Sequence, residues 1–124
     1  MSGQHLYLVD DEAVPARIVR MALERKGYQV DVFRNGLEAL EQIRSCQPDG
    51  LITDIEMPVM TGEELCKHIS SEIPDRSFPI FVVTSVPDQI HRQWTGEMHD
   101  VHFVEKPVSI NQLTEALQQA FQSA

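Results

Sequence analysis

Four short apolar runs in this 124-residue chain end in side chains fit for chemistry. Leu6-Tyr7-Leu8-Val9 runs into Asp10-Asp11-Glu12, and Leu51-Ile52-Thr53 into Asp54. Pro79 to Val83 runs into Thr84-Ser85, and Val101 to Val104 into Glu105-Lys106-Pro107. Asp54 taken alone reads equally well as a turn cap, a common use of Asp. Taken together the groups say more. Converging carboxylates repel one another, and their pKa values rise unless a cation sits among them. All-oxygen donors with room for water suit a hard ion such as Mg²⁺, which is usually held through only one or two carboxylates. No His or Cys accompanies these acids, which counts against zinc. A magnesium ion beside a carboxylate, with an ammonium and a hydroxyl opposite, is what phosphoryl transfer to an aspartate needs. The cations neutralise the phosphoryl oxygens, the hydroxyl donates to one of them, and the carboxylate is the nucleophile of an acyl phosphate.

The elements that must position these groups follow from apolar spacing and breakers. The four runs read as buried strands, and Val30-Asp31-Val32-Phe33 as a more exposed one at a sheet edge. Between them lie helical patterns. Val14, Ile18, Met21 and Ala22 form the first, with Pro15 in its first turn and Gly27 at its end. Leu37, Leu40 and Ile43 form the second, and Leu65, Cys66, Ile69 and Ile73 the third, closed by Pro74. Ile90, Trp94 and Met98 suggest a fourth between Pro87 and Asp100, interrupted by Gly96. Ser109 and Gln112 form a capping box for the last helix, whose stripe of Leu113, Ala116, Leu117, Ala120 and Phe121 faces a core. Strand and helix thus alternate five times, which implies right-handed crossovers and one parallel sheet covered on both faces. In such a sheet all strand exits share one edge, where open α/β sheets bind ligands. Asp10-Asp11, Asp54, Thr84 and Lys106 therefore meet there.

Composition narrows the partners. The chain carries 19 acids against 10 bases, a net charge of −9, which argues against direct binding to nucleic acid or an anionic membrane. No apolar run reaches membrane-spanning length, and no charged-then-apolar leader precedes Leu6, so a cytoplasmic protein is expected. Cys46 and Cys66 each fall in a helical pattern and read as buried or semi-buried thiols in a reducing compartment.

The chain resembles a two-component response-regulator receiver domain over nearly its whole length. Val9-Asp10-Asp11-Glu12, Asp54-Ile55-Glu56-Met57-Pro58 with Gly62, Val83-Thr84-Ser85 and Phe103-Val104-Glu105-Lys106-Pro107 carry the resemblance. It implies a flavodoxin-like strand order 2-1-3-4-5 with five flanking helices, and one receiver domain over residues 1–124 with no output domain in this chain. By the resemblance Asp54 is the phosphoacceptor. Asp11, Asp54 and the backbone carbonyl of Glu56 would ligate Mg²⁺ directly, and Asp10 through water. Lys106 would pair with the phosphoryl group, with a cis bond to Pro107. Thr84 and Phe103 would form the switch that alters partner binding. The donor would be a sensor histidine kinase or a histidine phosphotransfer protein, and the downstream target is a protein that the resemblance does not name. The chain would promote only its own phosphorylation and dephosphorylation and would not be a turnover enzyme.

Some positions depart from the family pattern. Thr61 stands where Asp is frequent, with little expected effect. Met98-His99-Asp100 replaces a small Gly-Ala stretch before the last strand, Phe103 lacks the hydroxyl of the alternative Tyr, and Glu56 and Val86 flank the site with an acid and an apolar side chain. A haloacid-dehalogenase-type phosphohydrolase would want a second Asp where Glu56 stands, and a cap for which there is no room. A flavin binder would want a hydroxyl-rich phosphate loop in place of Asp10 to Glu12. The histidines, His99 and His102 included, read as solvated or partly packed. Trp94 reads equally as a packing residue or a partner anchor.

Overall fold

Short apolar strands with side chains buried on both faces can be covered only by helices on both sides, and the chain is built that way. The computed structural model describes residues 3–85, 93–96 and 98–122. In order, they form β1 (His5–Val9), α1 (Ala13–Arg25), β2 (Gln29–Phe33), α2 (Gly36–Ser45), β3 (Gly50–Asp54), α3 (Gly62–Glu72), β4 (Ile80–Thr84), β5 (Val101–Glu105) and a last helix, α4 (Ile110–Gln122). Residues 93–95 are also helical. The rest of the helix expected between Pro87 and Asp100 lies, apart from Gly96 and Met98 to Asp100, outside the described residues. The five strands are parallel in the order β2-β1-β3-β4-β5, a doubly wound, flavodoxin-like α/β sheet with β2 at an edge as expected.

Alternation along each strand splits the core in two. Tyr7, Val9, Leu51, Ile80 and Val82 face α2 and α3, with Leu40, Ile43, Leu65 and Ile69 closing that layer. Leu6, Leu8, Ile52, Phe81, Val83 and Val104 face α1 and α4, where Leu23, Leu113 and Leu117 meet them. Every residue of β3 and β4 is buried, so these central strands hold their register most firmly. Each fully buried Leu or Ile stabilises by roughly 1.5–3 kcal/mol, which is why the middle of the sheet is the firmest platform for a site.

Local signals explain the helix ends. Asn35 caps α2 by accepting from the Glu38 N–H. Gly27, at φ 98, ends α1 in the left-handed conformation that glycine adopts without strain. Ser109 Oγ accepts from the Gln112 N–H at 3.3 Å, one half of the expected capping box. The complete box belongs to Thr61 and Glu64 at the start of α3, where each side chain satisfies the other's backbone. Thr61 therefore does more than was expected of it.

One further expectation needs correction. Cys46 is exposed, because α2 stops at Ser45 and Cys46 is its extended C-cap; Cys66 is buried as expected. The helix expected from the apolar spacing of α1 is present, but that spacing does not mark its core face. Ala16 and Leu23 are buried, while Val14, Ile18 and Met21 are among the most exposed large apolar side chains of the described residues.

Candidate phosphoacceptor site

The exits of β1, β3, β4 and β5 meet at the carboxyl edge of the sheet. Asp54, the last residue of β3, is 7% exposed. Its Oδ1 accepts the Ile55 N–H at 2.8 Å, and its Oδ2 accepts from Lys106 Nζ at 3.0 Å. The backbone brings these together. The Lys106 N–H donates to the Thr84 carbonyl at 2.9 Å, which ties the exits of β4 and β5, and the Lys106–Pro107 peptide bond is cis. On the other side the Gly62 N–H donates to the Ile55 carbonyl at 2.8 Å, folding the loop back over Asp54. That approach requires glycine, since a Cβ at residue 62 would lie 2.1 Å from the Asp54 carbonyl oxygen.

Asp10 follows β1, and its Oδ1 accepts the Glu12 N–H at 2.9 Å. Carboxylate oxygens of Asp10, Glu12 and Asp54 all lie within 4.8 Å of one another. Burial raises the Asp10 pKa above the ordinary carboxylate value, against the hydrogen bond from Glu12, and the charges of Asp54 and Glu12 raise it further. For Lys106 burial acts downward but is outweighed by the hydrogen bond and charge of Asp54, with help from Asp10 and Glu12, so its pKa is raised. One ammonium thus serves three carboxylates. The cluster is short of positive charge, and its donors are all oxygen, so it fits a hard dication such as Mg²⁺.

The other residues singled out from the sequence fall as follows. Asp11 is exposed and lines a separate hollow with Arg17, Arg20 and Arg34; it is not among the three clustered acids. Glu56 is exposed in the loop after β3. Thr84 is buried at the end of β4. Phe103 is half-buried on β5 and packs against the layer under α2 and α3, together with Trp94 and Met98. Val86 lies outside the described residues. Sequence reasoning passed over Glu12, although its place beside Asp10 in the acidic triplet was a signal that could have found it. Asp54 and Lys106 border a hollow of about 620 Å³ between α1 and α4, whose walls are apolar side chains such as Val14, Ile18, Val108 and Ile110.

A buried carboxylate held by one lysine, beside two further acids, can attack an electrophile whose negative charge a cation and the lysine neutralise. Residues 6–118 match the family described as "Response regulator receiver domain". The transcriptional regulatory protein CreB of Escherichia coli (strain K12) is 30% identical over 109 residues, which are 88% of this chain and 47% of that protein. The chain thus spans about half the length of that relative and of the other regulators it matches at similar identity. The polar-differentiation response regulator DivK of Brucella anthropi is 27% identical, over 89% of each chain. Among solved structures, chemotaxis protein CheY4 of Vibrio cholerae superposes with a TM-score of 0.86 at 27% identity, over 96% of this chain and 99% of that one.

Proposed function

The chain belongs to the response regulator receiver family, and from that premise we propose that Asp54 accepts a phosphoryl group from a phosphohistidine donor. The contact that supports this reading best is Lys106 Nζ at 3.0 Å from Oδ2 of the buried Asp54. The donor's P–N bond breaks as an Asp54 Oδ–P bond forms, and the departing imidazole keeps the electron pair and takes a proton from solvent. Lys106 then pairs with a phosphoryl oxygen and no longer with the free carboxylate, so its charge stays matched throughout. Asp10, Glu12 and Asp54 are the clustered side chains that would hold Mg²⁺, while the family pattern implies Asp11, Asp54 and the Glu56 carbonyl as direct ligands and Asp10 through water. The ion, when bound, supplies positive charge to the phosphoryl oxygens.

Signalling then follows from a shift between two arrangements of one fold. Thr84 hydrogen-bonds the phosphoryl group, and Phe103 turns further into the layer it already borders. The donor is a sensor histidine kinase or a histidine phosphotransfer protein, and the output is a protein contact, in a cytoplasmic setting. Among the described residues no helix is long and apolar enough to cross a membrane.

Intact mass after incubation with Mg²⁺ and acetyl phosphate tests the reading. One phosphoryl adduct, stable in acid, released by hydroxylamine and absent from Asp54→Asn, is the expected result. An adduct that survives Asp54→Asn, or steady turnover of a phosphoester without any adduct, would overturn it.

A further inference from the structure

Arg76 is the one buried cation among the described residues, and the phosphoacceptor site has no use for it. It lies in the turn between α3 and β4 at 4% exposure. Its contacts are to backbone. The guanidinium donates to the carbonyls of Phe78 and His99 and reaches that of Asp100 at 3.4 Å, while the His99 ring Nε2 lies 2.6 Å from the Arg76 carbonyl oxygen. The guanidinium carbon also sits 5.7 Å from the centre of the Phe78 ring. Burying a cation costs several kcal/mol unless its donors are met, and here a carbonyl of its own loop and those of one distant turn meet them.

The carbonyls of His99 and Asp100 belong to the turn that feeds β5. Asp100 has a φ of 55, a left-handed conformation that a side chain adopts at some cost, and its carbonyl also accepts the Ile80 N–H at 3.0 Å where the β4–β5 pairing begins. β5 needs such help. As an edge strand it pairs only with β4, and just one of its five residues is buried. Phe103 lies on that strand and Lys106 directly after it. On the other side of the grip, Met98 donates its N–H to the Thr95 carbonyl at 2.9 Å, and Trp94 and Met98 pack against the same layer as Phe103. The turn is also the place where His99 and Asp100 replace the small residues usual before the last strand. Arg76 therefore supplies by hydrogen bonding what close packing of small residues would supply.

We propose that Arg76 is a positioning residue for the switch. It pins the chain at His99 and Asp100, so that rearrangement around Trp94 and Phe103 leaves the pairing of β5 with β4 intact. The inference rests on the phosphoacceptor reading, which supplies the rearrangement. Loss of the pin lets the signal loosen β5 and carry Lys106 with it.

Amide hydrogen exchange with and without Mg²⁺ and beryllofluoride, a phosphoryl mimic, tests this on the purified chain. The readout is the ratio of exchange rates with and without the mimic within each variant, which a uniform loss of stability leaves unchanged. In the parent, peptides containing Trp94 change protection, while Val101 to Val104 stay within about twofold. In Arg76→Met the mimic speeds exchange of Val101 to Val104 by about tenfold or more, and Arg76→Lys lies between the two. A folded Arg76→Met with the parent's ratio overturns the proposal, and so does a parent whose β5 itself loosens. If Arg76→Met does not fold, His99→Ala, which removes the reciprocal contact to the Arg76 carbonyl, is judged by the same two outcomes. A parent that gains no thermal stability from the mimic and shows no change at Trp94 sinks the phosphoacceptor reading, and this proposal with it.

Discussion

Asp10 shows how the site trades stability for binding. Its raised pKa means that the fold holds a proton there more tightly than the unfolded chain does. Stability from this group therefore grows as pH falls through the raised folded value, and at neutral pH its charge works against the fold. Asp10→Asn is expected to melt at a higher temperature than the parent without Mg²⁺, and to gain less when Mg²⁺ is added, because a bound ion stabilises in proportion to its affinity. Paired thermal scans check both halves, and a variant that melts lower without the ion refutes the first. At Lys106 the charge works for the fold instead. Its folded pKa is raised above the ordinary 10.5, so its contribution is complete below that value and disappears as pH rises through the folded one. In urea titrations from about pH 8 to 11.5, Lys106→Met is expected to start lower than the parent and to lose less over that range. Parallel curves would show that the pair with Asp54 contributes nothing to stability.

The loop and helix that cover Asp54 were only partly legible. The Met60 N–H closes on the Pro58 carbonyl at 2.7 Å, with Val59 between them at φ 69. This is the φ of the rare, strained γ-turn, occupied by a β-branched side chain that is 73% exposed. Such a conformation costs about 1–3 kcal/mol, and glycine returns about 0.5–1 kcal/mol of that as extra entropy in the unfolded chain. Val59→Gly is therefore expected to stabilise by about 1 kcal/mol, raising the urea midpoint without a change in slope. Thr61→Ala should cost about 1 kcal/mol by the same measurement, since it removes the cap of α3. Neither role could be read from residue type. Val signals a strand and not a left-handed turn, and Thr61 was weighed only against the Asp usual at its place. The α1 stripe has a related limit: helical spacing shows that Val14, Ile18 and Met21 share a face, not that the face is inward.

At the scale of the whole molecule the sequence was read more completely. Runs buried on both faces admit little except a parallel sheet, and that topology alone carries Asp10, Asp54, Thr84 and Lys106 to one edge. Which acids cluster was less legible, because the turn after Val9 decides whether Asp11 or Glu12 faces Asp54, and its backbone is not encoded in spacing. Arg76 was illegible outright, since its partners lie 23 and 24 residues along the chain. The same architecture leaves its two thiols in opposite circumstances. Cys46 is open to solvent, whereas Cys66 is walled into the layer under α3, and burial pushes its thiol up to about 12. A thiol-specific dye at mild alkaline pH should therefore react once and quickly, then a second time only as fast as that layer opens. The second phase would be a clock for unfolding, read with no probe residue introduced; two rapid equivalents would show that the layer opens freely.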